Sequence, residues 1–397
     1  MASIIRHIKK INDQIVQDIK MNLDITEAVV NKFKCANWNT LKFSDLVENI
    51  NEKIVPKESG LEYYIGLEHL DSGSLHIRRF GKTESLKGDK LKIYKGDFIF
   101  AKRNAYLKRV AIADFDAVAS AHSLVLRAKP GNVLPEFLPF FLLSEKFWER
   151  AIEISVGSLS PTINWNVIAE QEFLLPPMEQ QAEIAELFWS VDKVIQEDLK
   201  VLKTLENLLY VKTNTFFRDS QNKIKIKNIV THESKIKAEA GLKPYIEIGD
   251  INTFNKQIVL KNKESVKGSI IAKKGSILVS KVRPNRGAVH LLKEDQIVTN
   301  GFSILIADAA KSSSSFLFYC IAWNNDFYYQ LSRLSTGTTY PTVEDENILR
   351  YLIPCVDENL QKEYVNEMDK IYMALSNIES KNNKTKNLLN SIINQIF

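Results

Sequence analysis

Cysteine is nearly absent from this chain of 397 residues. There are three, Cys35, Cys320 and Cys355, an odd and scattered number with no pair at metal-ligand spacing. That excludes a disulfide-stapled secreted scaffold and a zinc ribbon, and it predicts reduced thiols in a cytoplasmic protein. The six histidines, His7, His69, His76, His122, His232 and His290, stand alone and add no metal signature. No apolar run approaches the roughly 18 residues needed to cross a bilayer. The stretch Met1 to Lys10 is basic but has no apolar core of signal-peptide length. Charge of one sign is also in short supply. A formal charge of +5 permits a polyanionic partner without demonstrating one. What is present, 45% hydrophobic and 25% charged residues, is globular composition rather than disorder, with room for two or three domains.

Proline is missing from three long stretches. All eleven prolines fall in two blocks, Pro56 to Pro177 and Pro244 to Pro354. Proline is costly inside a helix, so the proline-free stretches can hold long ones. From about Glu179 to Phe217 apolar residues step by three and four: Ile184, Phe188, Val191, Ile195, Leu202, Leu205, Leu209 and Phe216. The last stretch repeats the pattern with Tyr364, Met368, Ile371, Leu375, Ile378, Leu389, Ile392 and Ile396. Both are heptad seams. Asp198 and Lys212 interrupt the first as register-fixing polar positions, and Asn382 and Thr385 interrupt the second. Neither helix can leave its seam wet, so the two are expected to pair as an antiparallel coiled coil. The first stretch, Ile4 to Phe33, also reads as a helix, with Ile4, Ile8, Ile11, Ile15, Val29 and Phe33 on one face.

The chain is also written twice. Tyr64-Ile65 returns as Tyr245-Ile246, and Lys95-Gly96-Asp97-Phe98-Ile99 as Lys274-Gly275-Ser276-Ile277-Leu278. Gly157-Ser158-Leu159-Ser160-Pro161-Thr162-Ile163 returns as Gly337-Thr338-Thr339-Tyr340-Pro341-Thr342-Val343. Leu174-Leu175-Pro176 returns as Leu352-Ile353-Pro354, and Gln181-Ala182-Glu183 as Gln361-Lys362-Glu363, all at offsets of 178 to 181 residues. Such a period is too long for a solenoid and points to a duplicated domain. Strands are expected at Phe98–Ala101, Val110–Ala113 and Leu124–Leu126, and again at Ile277–Val279, Ala288–Leu292 and Ser303–Ile306. Aromatic-rich helices are expected at Glu136–Ile152 and Ser314–Leu331. The fold class is therefore α+β: two similar domains, 36–178 and 218–356, with helices over 1–35, 179–217 and 357–397. The matching placement of the helices predicts a cyclic pseudo-twofold.

These residues carry a resemblance. The run Leu174-Leu175-Pro176-Pro177-Met178-Glu179-Gln180-Gln181-Ala182-Glu183-Ile184, leading into a heptad helix, resembles the specificity subunits of type I restriction-modification systems. So do Lys274 to Gly287 and the two Gly-Ser/Thr-x-x-Pro-Thr loops. The likeness runs from Trp38 to Phe397 in the family's order of target-recognition domain, helix, target-recognition domain, helix; the long N-terminal helix departs from it. The resemblance implies a non-catalytic chain whose two domains each read one half of a bipartite double-stranded DNA target. It implies that the coiled coil sets the half-site spacing and docks two copies of an N6-adenine methyltransferase subunit. Motor-nuclease subunits can join such an assembly. S-adenosylmethionine would belong to the partner, and this chain would need no cofactor.

The residues agree in lacking a catalytic constellation. The Asn/Asp-Pro-Pro-aromatic element of amino-methyltransferases is missing, since Pro176-Pro177 lies between leucine and methionine. Gly81-Lys82-Thr83 has His76 where a phosphate-binding loop needs glycine, and reads as a turn with an exposed lysine. Glu233-Ser234-Lys235 and Glu379-Ser380-Lys381 match only the end of a nuclease motif.

Candidate DNA contacts lie in a basic loop after the corresponding strand of each domain. In the first domain they are Lys102, Arg103, Asn104, Lys108 and Arg109; in the second, Lys281, Arg283, Asn285 and Arg286. Arginine and asparagine suit guanine and adenine edges, and lysine suits phosphates. Arg78, Arg79 and Lys82 form a second basic patch, as do Lys256, Lys261, Lys263 and Lys267. The loops at Ser158 and at Thr338, Thr339 and Tyr340 offer small donors beside glycine, suited to close approach to a phosphate or base. Trp165 is expected to pack. The basic loops differ in residue order, so the expected target is asymmetric. The competing reading is a coiled-coil scaffold with two protein-binding domains; a stand-alone enzyme is a third.

Overall fold

The computed structural model describes residues 30, 32, 33, 37–231, 236–259 and 261–397. Of the expected N-terminal helix only Val30, Lys32 and Phe33 fall among these, and the rest of it, with Glu233-Ser234-Lys235, lies outside the described residues. The chain divides into two compact units, Met1–Gln196 with Asn383–Phe397, and Glu197–Asn382.

The first unit holds an α+β domain. A four-stranded antiparallel sheet runs in the order Val47–Ile50, Ser123–Ala128, Phe98–Ala101, Val110–Ile112. Its central strand, Phe-Ile-Phe-Ala, is buried on both faces, which accounts for its unbroken apolar run. A five-stranded sheet follows the order Lys53–Ile54, Lys90–Ile93, Ala117–Ala119, Tyr63–Ile65, Gly81–Lys82, with Tyr63–Ile65 parallel to Ala117–Ala119. Ile65, Ile93, Ile99, Ala111 and Val125 form the core between them. Gly81-Lys82-Thr83 is thus not a turn: its first two residues pair with Tyr63 and Tyr64, and the Thr83 hydroxyl donates to the Leu61 carbonyl at 2.7 Å.

The aromatic helix expected over Glu136–Ile152 is two, Leu138–Leu143 and Glu145–Glu153. Ser144 breaks it by taking extended geometry, where its hydroxyl accepts the Phe147 N–H and starts the second helix. Phe141, Phe147, Phe173 and Phe397 then pack ring to ring, with centroids 5.2 to 5.6 Å apart.

The second unit repeats this plan. A four-stranded sheet runs Ile236–Lys237, Ile270–Ala272, Gln296–Val298, Tyr245–Ile246, again with one parallel pair. A three-stranded antiparallel sheet runs Val289–Leu291, Ile277–Ser280, Phe302–Leu305. The expected helix Ser314–Leu331 also splits, into Ser314–Ala322 and Asn325–Leu334, because the Asn324 side chain caps the second piece. In each domain the first and last strands meet. Asn39–Lys42 pairs with Glu172–Leu175, and Lys223–Lys225 with Leu352–Pro354.

Each domain is followed directly by a long helix, Met178–Asp219 and Glu358–Ile396. Within the second unit, Leu202, Leu205 and Leu209 are buried, as are Met368, Ile371, Leu375 and Ile378. Asp198 accepts from Lys381 at 2.9 Å, Lys212 donates to Glu367 at 2.9 Å, and Phe216 stacks on Tyr364 with centroids 4.0 Å apart. Early residues of one segment meet late residues of the other, so the pairing is antiparallel, and two polar interruptions of the seam form interhelical ion pairs. Within the first unit Ile184, Phe188, Ile195, Leu389 and Ile392 are buried, whereas Val191 is half-buried.

Candidate nucleic-acid interface

The duplicated loops come together in each domain by the same bridges, with one hydrogen bond shifted by a residue in the second, where Pro284 stands in place of Ala105 and has no N–H to donate. In the first, Arg103 bridges to Thr162, which also bridges to Val156. The Ile163 N–H donates to the Lys102 carbonyl at 2.8 Å and the Ala105 N–H to the Pro161 carbonyl at 3.3 Å. In the second, Val282 bridges to Thr342, which bridges to Thr336. The Val343 N–H donates to the Lys281 carbonyl at 3.0 Å and the Arg283 N–H to the Pro341 carbonyl at 2.7 Å. Each basic loop starts a short helical turn, Ala105–Leu107 or Pro284–Arg286, after one residue in the left-handed region, Asn104 at φ 54° or Arg283 at φ 48°. The turn closes in the same region at Lys108 (φ 47°) and Gly287 (φ 69°). Backbone bonds therefore do much to fix this two-loop surface.

The side chains divide by whether an acid neutralises them. Arg78 lies 3.7 Å from Asp71 and also donates to Gln196 at 3.0 Å; Arg79 pairs with the same Asp71. Lys82 pairs with Glu62, Lys108 with Glu145, and Lys281 lies 3.7 Å from Asp345. Arg109 turns inward, donating to the Leu67 carbonyl at 2.6 Å. By contrast, among the described residues Lys102, Arg103, Arg283 and Arg286 have no carboxylate partner. Arg103 reaches His122 at 3.4 Å, and burial, then the Arg103, Lys102 and Lys90 cations, push that imidazole below its usual value. Arg283 donates to the Thr339 carbonyl at 3.0 Å and lies 4.6 Å from the Tyr340 ring centre. Asn104 accepts from the Ser160 hydroxyl at 2.8 Å, while Ser158, Thr338, Thr339 and Asn285 are exposed. Of the candidate residues, those on the paired loops thus keep uncompensated positive charge, and Arg78, Arg79 and Lys82 do not.

In the second patch of the second domain three of the four lysines are engaged, while Lys267 is exposed. Lys256 is 1% exposed, and its ammonium donates to the carbonyls of Thr253 (2.6 Å) and Gly287 (3.0 Å) beneath the basic loop. Burial brings its pKa down to about 8. Lys263 pairs with Glu247 and Asp250, and Lys261 with Asp250. Glu379 accepts from Asn252 and Asn255 and Lys381 from the coil pairs with Asp198, so the tripeptide Glu379-Ser380-Lys381 serves packing.

His122 and Leu159 also border the paired loops, and sequence reasoning did not single them out. A lone histidine gives no signal; it lies next to Ser123, which pairs with Ala101 beside the basic loop. Trp165 packs 6.1 Å from Phe43 and lines, with Lys53, Lys90 and Lys102, a recess of about 320 Å³. Among the described residues no His/Cys/Asp/Glu group could hold a metal, and no helix is long and apolar enough to cross a membrane.

The type I restriction modification DNA specificity domain matches this chain twice, over residues 36–207 and 222–387, and the chain belongs to that family. The EcoDI type I restriction enzyme specificity subunit of Escherichia coli is 27% identical over 186 residues, 43% of this chain and 39% of that protein. The HindI specificity subunit of Haemophilus influenzae is 23% identical over 195 residues, 46% of this chain and 41% of that protein. These matches span about two fifths of the relatives' own lengths. The solved S subunit of a type I restriction-modification system from M. genitalium has the same fold, with a TM-score of 0.57 at 13% identity, covering 92% of this chain and 97% of that one.

Proposed function

We propose that this chain is the non-catalytic DNA sequence-specificity subunit of a type I restriction-modification system. The observation that carries the reading is the duplicated two-loop surface, held by matching backbone bridges in both domains and bearing arginines and a lysine that no acid neutralises. Lys102, Arg103 and Asn104 serve one half-site and Arg283, Asn285 and Arg286 the other, with Ser158, Thr338, Thr339 and Tyr340 on the adjoining loops. The different side chains on the two surfaces make the bipartite target asymmetric. Arg78, Arg79, Lys82, Lys108 and Lys281, held by carboxylates, contribute less. The paired helices dock two N6-adenine methyltransferase subunits, which bring S-adenosylmethionine, and set the half-site spacing. Motor-nuclease subunits join the same assembly in the cytoplasm.

The test is a methylome of cells expressing the chain with its methyltransferase, against a deletion of this chain. A bipartite N6-methyladenine motif that disappears on deletion supports the reading. An active methyltransferase with no chain-dependent motif overturns it and favours a scaffold. Deleting one heptad from each long helix should shorten the spacer by about three base pairs; an unchanged spacer would exclude the helices as its determinant.

A further inference from the structure

The first domain's loop surface carries an apolar tip that its fold does not use. Leu159 is 96% exposed, and on the adjoining segments Val156 is 58% and Tyr106 56% exposed. These residues lie on the strands of chain joined by the Arg103–Thr162 and Val156–Thr162 bridges and by the Ala105 to Pro161 bond. The loop holds its shape without Leu159. Gly157 makes the turn at φ 104°, the Ser160 hydroxyl donates to Asn104 at 2.8 Å, and the Thr162 hydroxyl donates to the Ser160 carbonyl at 3.0 Å. All three lie on the one two-loop surface and offer apolar area there to a ligand. Its rim is cationic, because Lys102 and Arg103 have no carboxylate partner among the described residues. The partner it fits is a polyanion that presents an apolar spot. On the edges of B-DNA bases in the major groove, that spot is the thymine C5-methyl group.

We propose that Leu159 is a specificity-determining residue that packs against a thymine methyl in the half-site read by the first domain. This rests on the function proposed above. The equivalent loop of the second domain has no leucine, and its exposed apolar side chain is Tyr340, 65% exposed. Thr339 occupies the corresponding place, with its carbonyl accepting from Arg283, and the neighbouring Tyr340 ring lies against the same guanidinium.

The test uses the full chain in complex with its methyltransferase subunits and selects binders from a random-sequence duplex pool. The selected duplex is then remade with uracil replacing each thymine in turn, which removes only the methyl group. In the wild type, one uracil in the first half-site should weaken binding about fourfold, the scale of one methyl group removed from a buried contact. Leu159→Ala should bind the thymine duplex about tenfold more weakly and lose nothing further with uracil at that position. Its thermal midpoint should match the wild type, since the side chain supports nothing. Equal sensitivity of wild type and variant to uracil at every position overturns the proposal. So does a variant that keeps its thymine preference but no longer holds the methyltransferase, which makes the tip a protein contact. A wild-type complex that selects no sequence at all overturns the proposed function itself.

Discussion

Two residues beneath the second recognition loop show how its backbone is held. Gly287 sits at φ 69°, and a Cβ there would stand 3.2 Å from the Tyr328 ring and 3.3 Å from the Lys256 ammonium. Gly287→Ala should therefore cost about 2 kcal/mol from left-handed strain and crowding, read as a lower urea midpoint. An unchanged midpoint would mean the turn relaxes freely. Lys256 itself makes stability depend on pH. Its amine titrates at about 8 when folded and near 10.5 when unfolded, with Glu206 pulling weakly the other way. Between those values the unfolded chain holds a proton that the folded one has released, so this group's contribution to stability rises with pH across the window and is flat below it. The full span is worth about 3 kcal/mol. Comparing wild type with Lys256→Met at pH 7.5, 9 and 10 isolates the effect. The wild type should gain on the variant as pH rises, and parallel curves would rule the buried lysine out as the cause.

Among the elements, the antiparallel helix pair in the second unit contains a buried ion pair. The side chains of Asp198 and Lys381 are 9% and 11% exposed. Lys381→Leu should destabilise this unit by about 3 to 5 kcal/mol, because it strands a carboxylate among leucines, whereas Asp198→Leu combined with Lys381→Leu should recover most of that loss. A double variant as unstable as the single one would show that geometry rather than charge is at stake. Much at this scale is legible in the sequence. Proline-free heptads mark the long helices, and unbroken apolar runs such as Phe98–Ala101 mark buried strands. The breaks at Ser144 and Asn324 are harder, since serine and asparagine cap a helix only when the chain turns there, and the apolar periodicity continues across both. The site is half legible. Basic loops stand out by composition, but their neutralisation by Asp71, Glu62 or Glu145 depends on partners distant in sequence. The burial of Lys256 has no local signature, because three nearby lysines look the same and remain at the surface.

For the molecule as a whole, two weak surfaces on one chain behave as one strong site only when both are filled. Duplexes carrying a single half-site should therefore bind no better than unrelated DNA, while those with both should bind with steep salt dependence. Removing one phosphate contact by Lys102→Ala should lower the log–log salt slope by about 0.9 without changing the preferred sequence. An altered preference with an unchanged slope would move Lys102 from phosphate to base. The meeting of first and last strands in each domain has one more consequence. Leu175 lies opposite Asn39 and Pro354 opposite Lys223, so the chain enters and leaves each domain at one spot. A domain connected in this way is a cassette. On the function proposed above, recombination that replaces everything between those strands would exchange one half of the recognised word and leave both helices intact, so new specificities would arise by shuffling whole halves rather than by remaking a protein residue by residue.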